Sequence, residues 1–107
     1  MTLIRKDIRG NWKAESKFNL PNGRSLEIST HKVSSGQLIT SAIVGKDEGA
    51  FFSYVMYQDF SERMVYSAPT KCTGKKVEEQ HNHALTLVED LKTKIAAFYA
   101  SKEVETV

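Results

Sequence analysis

The sequence predicts an α+β domain: a five-stranded antiparallel β-meander followed by one long C-terminal α-helix packed on one sheet face. Three observations carry this expectation. Residues alternate apolar and polar from Trp12 to Leu20, glycine-bearing three-residue turns stand at Pro21-Asn22-Gly23 and Ser34-Ser35-Gly36, and an apolar stripe with 4-3 spacing runs from Val77 to Phe98.

In the first strand, Trp12, Ala14, Ser16, Phe18 and Leu20 share one side while Lys13, Glu15, Lys17 and Asn19 share the other. Pro21 presets φ for a turn, and Gly23 accepts the left-handed conformation that closes a three-residue loop. Leu20 then opposes Arg24, which sets Phe18 against Leu26 and Ser16 against Ile28. The Ser34-Ser35-Gly36 turn repeats the device, pairing Val33 with Gln37, Ile28 with Ala42 and Leu26 with Val44 in a third strand, about 37 to 44. A Gly45–Gly49 loop leads to a fourth strand, Ala50 to Gln58, with Phe52, Tyr54 and Met56 on the core side if Val44 opposes Ala50. A turn at Asp59-Phe60-Ser61 then sets Met56 beside Met64, Tyr54 beside Tyr66 and Val55 beside Val65.

The helix is expected over Lys75 to Ser101, with Val77, His81, Ala84, Val88, Leu91, Ile95 and Phe98 on its buried face and Leu85, Leu87 and Tyr99 widening it. Thr73 or Thr70 is the expected N-cap. Such a helix would be roughly 40 Å long at about 1.5 Å per residue, whereas a strand of about eight residues spans only roughly 26 Å. It must overhang the sheet, bend or start later.

The chain has 107 residues, 40% of them hydrophobic, which fits one small domain over 11–101 with a loose N-terminal arm, 1–10, and a loose tail, 102–107. Net charge is only +2, yet residues 1–46 hold eight Lys or Arg against three acids and the rest hold seven against ten, so the halves carry +5 and −3. That is far from the dense basic footprint of a duplex-binding domain. A single cysteine, Cys72, excludes an intrachain disulfide. With no run of about 18 apolar residues and no signal-peptide core at Met1-Thr-Leu-Ile-Arg-Lys-Asp, the expectation is a soluble cytoplasmic protein, with no membrane association.

No motif specifies a chemistry. His81 and His83 lie two apart on a helix and diverge, so Glu79 with His83 is the pair with ligand spacing, and two ligands do not make a metal site. His81 falls on the apolar stripe and is expected as a satisfied core-edge histidine. Cys72 stands among Lys71, Lys75 and Lys76 near a helix start, surroundings that favour thiolate, but the sequence places no base beside it. Thr73-Gly74-Lys75-Lys76 offers only a weak anion-binding corner. No catalytic residue, metal or cofactor is expected.

The strands carry more apolar residues than one helix covers. In the registers above, Ile39, Ile43, Phe51, Val55, Tyr57 and Val65 are neighbours on the face away from the helix, a patch on the order of several hundred Å². The expected role is therefore a non-enzymatic binding or accessory protein that forms a homodimer, or meets a protein partner, through these six residues. Two alternatives use the same fold. Single-stranded nucleic acid could stack on Phe51 and Tyr57 with Lys13, Lys17, Arg24 and Arg63 nearby. A small molecule could bind between sheet and helix near Trp12, Tyr54, Tyr66 and His81.

Overall fold

The computed structural model describes residues 2–47 and 55–105. Among them run β1 (Thr2–Lys6), β2 (Trp12–Asn19), β3 (Arg24–Lys32), β4 (Leu38–Asp47), β5 (Val55–Tyr66), α1 (Gly74–Leu85) and α2 (Val88–Glu105). The strands form one antiparallel sheet in the order β1-β2-β3-β4-β5, and both helices pack against it, so the chain has an α+β fold.

The two hairpins at the centre follow from their turns. Gly23 and Gly36 have φ of 73° and 86°, a region costly for any residue with a Cβ. Leu20 donates its N–H to Arg24 O at 2.9 Å and Val33 donates to Gln37 O at 3.0 Å, closing both loops at the expected residues. From there Phe18 opposes Leu26, Ser16 opposes Ile28, Leu26 opposes Val44 and Ile28 opposes Ala42. Ala14, Leu26, Ile28, Ala42 and Val44 are all fully buried.

The other two hairpins differ from expectation. Residues Thr2–Lys6, inside the expected arm, form β1 and pair with Trp12 to Ser16. The loop that joins them is organised by Asp7, whose Oδ1 accepts from the N–H groups of Arg9 and Asn11 at 2.8 and 3.0 Å. At the other end, the expected turn at Asp59-Phe60-Ser61 is absent: β5 is one continuous strand of 12 residues. Its pairing with β4 slips at Thr40/Ser41, Val44/Gly45 and Lys46/Asp47, so Met64, Asp59 and Met56 are passed over in the register. These are bulges, and each reverses which side the following residues face. Consequently Val44 opposes Phe60 rather than Ala50, β4 continues through the expected Gly45 loop as far as Asp47, and Val65 opposes Thr40. The strand expected over Ala50 to Gln58 falls partly outside the described residues.

The single helix expected is two. Thr73 is extended at φ −109° and its Oγ1 accepts from Lys76 N–H at 3.2 Å, which makes it the N-cap of α1. The break lies at Thr86-Leu87, where Thr86 N–H reaches His83 O and Leu87 N–H reaches Ala84 O, three residues back instead of four. The Thr86 hydroxyl also donates to His83 O at 2.6 Å. The stripe continues across the break: Val77, His81, Ala84, Val88, Leu91, Ile95 and Tyr99 are buried in turn across both helices. Phe98 stays half-buried and packs edge-on against Phe60, with ring centroids 5.4 Å apart. α1 rests with Trp12, Ala14 and Leu38 on one end of the sheet, and α2 covers Phe18, Leu26, Val44 and Phe60 at the other.

Because nothing lies within 4 Å of a Cβ built on Gly23, the cost of Gly23→Ala is purely conformational. It should lower stability by about 1–2 kcal/mol in urea unfolding, the penalty of a left-handed L-residue. An unchanged midpoint would show that the turn tolerates another conformation.

Candidate functional site

Two places in this fold carry more than packing: a buried polar row under α1 and the sheet face away from the helices. The first begins with residues that break the apolar pattern. Ser16, Thr30 and Thr40 point to the helix side of β2, β3 and β4, and each is at most 2% exposed. His81 is delivered to them by the stripe of α1, with no exposed surface of its own. Its Nε2 lies 2.8 Å from Ser16 Oγ and its Nδ1 lies 2.8 Å from Thr30 Oγ1. Ser16 Oγ continues to Thr2 Oγ1 at 2.7 Å, and Thr30 Oγ1 to Thr40 Oγ1 at 2.6 Å. Gln80 closes the row, its Nε2 donating to Leu38 O at 2.9 Å and Thr40 Oγ1 at 3.2 Å.

The amide fixes one end of this row. Gln80 Nε2 can only donate, so Thr40 accepts from it, and the second lone pair of Thr40 leaves its bond with Thr30 open to either direction. A neutral His81 ring donates from one nitrogen and accepts at the other, so it takes a hydrogen from one of Thr30 and Ser16 and gives one to the other. Ser16, Thr30, Thr40 and both ring nitrogens of His81 each have a partner in the row. Burial holds the His81 imidazole below its ordinary pKa, in keeping with a neutral ring. Although a serine oxygen lies beside a histidine nitrogen, both are sealed from solvent and Nδ1 faces a hydroxyl instead of a carboxylate. The arrangement can hold a helix in place; it does not present a nucleophile to a substrate.

The outer sheet face is mixed. On β1 and β2, Glu15 accepts from Lys13 at 2.9 Å and Arg5 at 3.3 Å. Partial burial works to raise the Glu15 carboxyl, and the hydrogen bonds and charges of Lys13 and Arg5 outweigh it, so its pKa lies below the ordinary carboxylate value. Toward β4 and β5 the face turns apolar: Ile39 lies between His31 and Tyr66 in the register, and Ile43 between Glu27 and Ser61. Ile39 is 8% exposed, Ile43 is half-buried, and Tyr66 is 64% exposed.

Of the six residues expected to form one patch, then, Ile39 and Ile43 do share the outer face. Val65 does not join them: the bulge at Met64 sets it opposite Thr40, and it packs against the helix-covered core. Val55 and Tyr57 lie in β5 opposite Asp47 and Lys46, and Phe51 lies outside the described residues. Tyr66 is the outer-face residue that the sequence reading assigned elsewhere, and a bulge count on β5 would have been needed to find it. Arg24 also changes side. Its guanidinium stacks over the Tyr99 ring of α2 at 3.8 Å to the centroid, away from Lys13, Lys17 and Arg63.

The residues considered for a small-molecule gap do not converge. Trp12 packs beside the start of α1, with its ring atoms 3.3 Å from where a Cβ on Gly74 would sit, His81 is sealed, and Tyr66 is on the opposite face. Tyr54 lies outside the described residues. A cleft of about 220 Å³ does open between Leu20, Arg24, Ile95 and Tyr99, below the size usual for ligand pockets. A depression of about 410 Å³ beside Pro69, Lys76 and Gln80 is broadly open to solvent. Cys72 is half-buried and donates to Trp12 O at 3.4 Å, with no hydrogen bond to a histidine. Glu79 and His83 are exposed, and among the described residues no cluster of three or more His, Cys, Asp or Glu could hold a metal ion. No helix among the described residues is long and apolar enough to cross a membrane.

Comparison with protein-family models, with curated proteins and with solved structures finds no match to this chain.

The buried row makes a quantitative test. Thr30→Val keeps the shape and removes the hydroxyl that links His81 to Thr40, so it should cost about 1–3 kcal/mol. Thr30→Val combined with Thr40→Val should cost less than the sum of the two single losses, since the bond between the two hydroxyls is then lost once and not twice. Strictly additive losses in denaturant unfolding would contradict a connected row.

Proposed function

We propose that this chain is a small, non-enzymatic binding or accessory protein of the cytoplasm that works as a homodimer, joined through the β4–β5 half of its outer sheet face. The observation that supports this reading is the division of that face. Its β1–β2 part is occupied by the Arg5–Glu15–Lys13 ion pairs, while Ile39, Ile43 and the exposed Tyr66 gather on β4 and β5. β5 is also an edge of the sheet, long at 12 residues, and an unprotected edge invites pairing with another chain.

An isologous dimer doubles every contact, so Ile43 and Tyr66 each contribute twice. Fully burying such side chains is worth about 1.5–3 kcal/mol apiece, from which the cost of association is subtracted. The ligand class is left open by this reading. Nucleic-acid binding draws less support, because Lys13 is spent on Glu15 and Arg24 belongs to the helix-covered side.

Sedimentation velocity tests the proposal. Wild type should sediment as a dimer and Ile43→Asp as a monomer or an insoluble chain, whereas Leu3→Asp, at the far edge of the same face, should leave the dimer intact. A wild-type monomer at every soluble concentration would sink it.

A further inference from the structure

We propose that His81 is a proton-operated latch for α1: a second proton on the ring removes its one acceptor, breaks the match between the imidazole and the hydroxyls beneath the helix, and frees α1 from the sheet. In the neutral ring one nitrogen accepts a hydrogen from its hydroxyl partner, Thr30 at Nδ1 or Ser16 at Nε2, each 2.8 Å away. A protonated ring donates from both nitrogens, so the hydroxyl that had donated to it must turn its hydrogen elsewhere. One proton taken from solvent thus places a cation in a sealed site and displaces a hydroxyl hydrogen that had the ring as its acceptor.

No counter-charge is at hand among the described residues. From β1 and β2 the ring meets Thr2 and Ser16, because Arg5, Lys13, Glu15 and Lys17 belong to the outer face and Lys6 lies over Trp12. From β3 and β4 it meets Thr30 and Thr40, while Arg24 lies over Tyr99 and Lys32 is exposed at the strand end. Glu62 of β5 is the carboxylate on the helix-covered face, and Lys94 of α2 holds it at 2.9 Å. On α1 itself, Lys75, Lys76, Glu78, Glu79 and His83 are exposed.

The release is local because the two helices are anchored differently. α1 buries Val77, His81 and Ala84, so the histidine is its largest buried side chain. α2 has Val88, Leu91, Ile95 and Tyr99. The sign follows from linkage: the folded ring protonates less readily than the free one, so the latch is fully set above about pH 6.5 and weakens as pH falls below it.

Amide hydrogen exchange on the intact chain, corrected for intrinsic chemistry, reads this directly. Opening of α1 should rise by about tenfold per pH unit below pH 6.5, the slope of one proton, while the centres of β3 and β4 keep their protection. His81→Gln should abolish the slope. Should that variant fail to fold, the wild-type His81 ring resonances decide: they should keep their neutral shifts while α1 stays protected and change only as it opens. Flat α1 exchange across the window, equal loss of protection throughout the sheet, or titration of His81 beneath a protected α1 would each overturn the proposal.

Discussion

Everything on the helix side of this sheet depends on the register of β2, β3 and β4. Three rows cross those strands: Ala14–Thr30–Thr40, Ser16–Ile28–Ala42 and Phe18–Leu26–Val44. A slip of one residue in β3 would send Leu26, Ile28 and Thr30 to the outer face and bring Glu27 and Ser29 inward. The left-handed glycines at 23 and 36 prevent that slip, because each turn closes only at its own pair. The same rows place Ser16 and Thr30 as the two hydroxyls that one imidazole can bridge. Core and polar row therefore share a single cause.

The rows also explain the division of labour between the helices. Beneath α1 the sheet presents small or polar groups, Ala14, Ser16, Thr30 and Thr40, and the helix answers with Val77, Ala84 and the hydrogen-bonded His81. Beneath α2 it presents Phe18, Leu26, Val44 and Phe60, answered by Leu91, Ile95, Phe98 and Tyr99. The break at Thr86-Leu87 divides the stripe between two helices, each set over its own part of the sheet. Thr86 reinforces the break by adding its hydroxyl to its own N–H on the same carbonyl, His83 O.

What was legible in the sequence was whatever two independent signals agreed upon. Turn chemistry and alternation coincide around Gly23 and Gly36, and those hairpins stand as read. In α1 and α2 the 4-3 stripe holds across the break, so the buried face was legible although the break was not. β5 escaped because a bulge keeps a strand going while spoiling its period: Asp59 imitates a turn, and Met64 carries Val65 to the inner side. β1 escaped because Thr2-Leu3-Ile4-Arg5-Lys6 has no alternation to read, and it is held by pairing with β2 instead. The buried row had a signal that went unused. Ser16, Thr30 and Thr40 fall on the apolar side of three paired strands, and polar groups there require a buried partner, for which His81 on the stripe was the candidate.

That row bears on why a small domain retains polar groups where apolar ones would fit. A core of Val and Leu at these positions would accept α1 at several heights, because apolar contact has no direction. Hydrogen bonds do: with Gln80 fixed by Leu38 O and His81 by Ser16 and Thr30, α1 has one axial position and one rotation at which nothing buried is left unsatisfied. The same specificity makes the row intolerant of an added proton, since a ring that donates from both nitrogens turns back the hydroxyl that had donated to it and leaves a cation in a sealed site. Precision of docking and sensitivity to acid are two consequences of one set of bonds, and a domain built on them gains the first only by accepting the second.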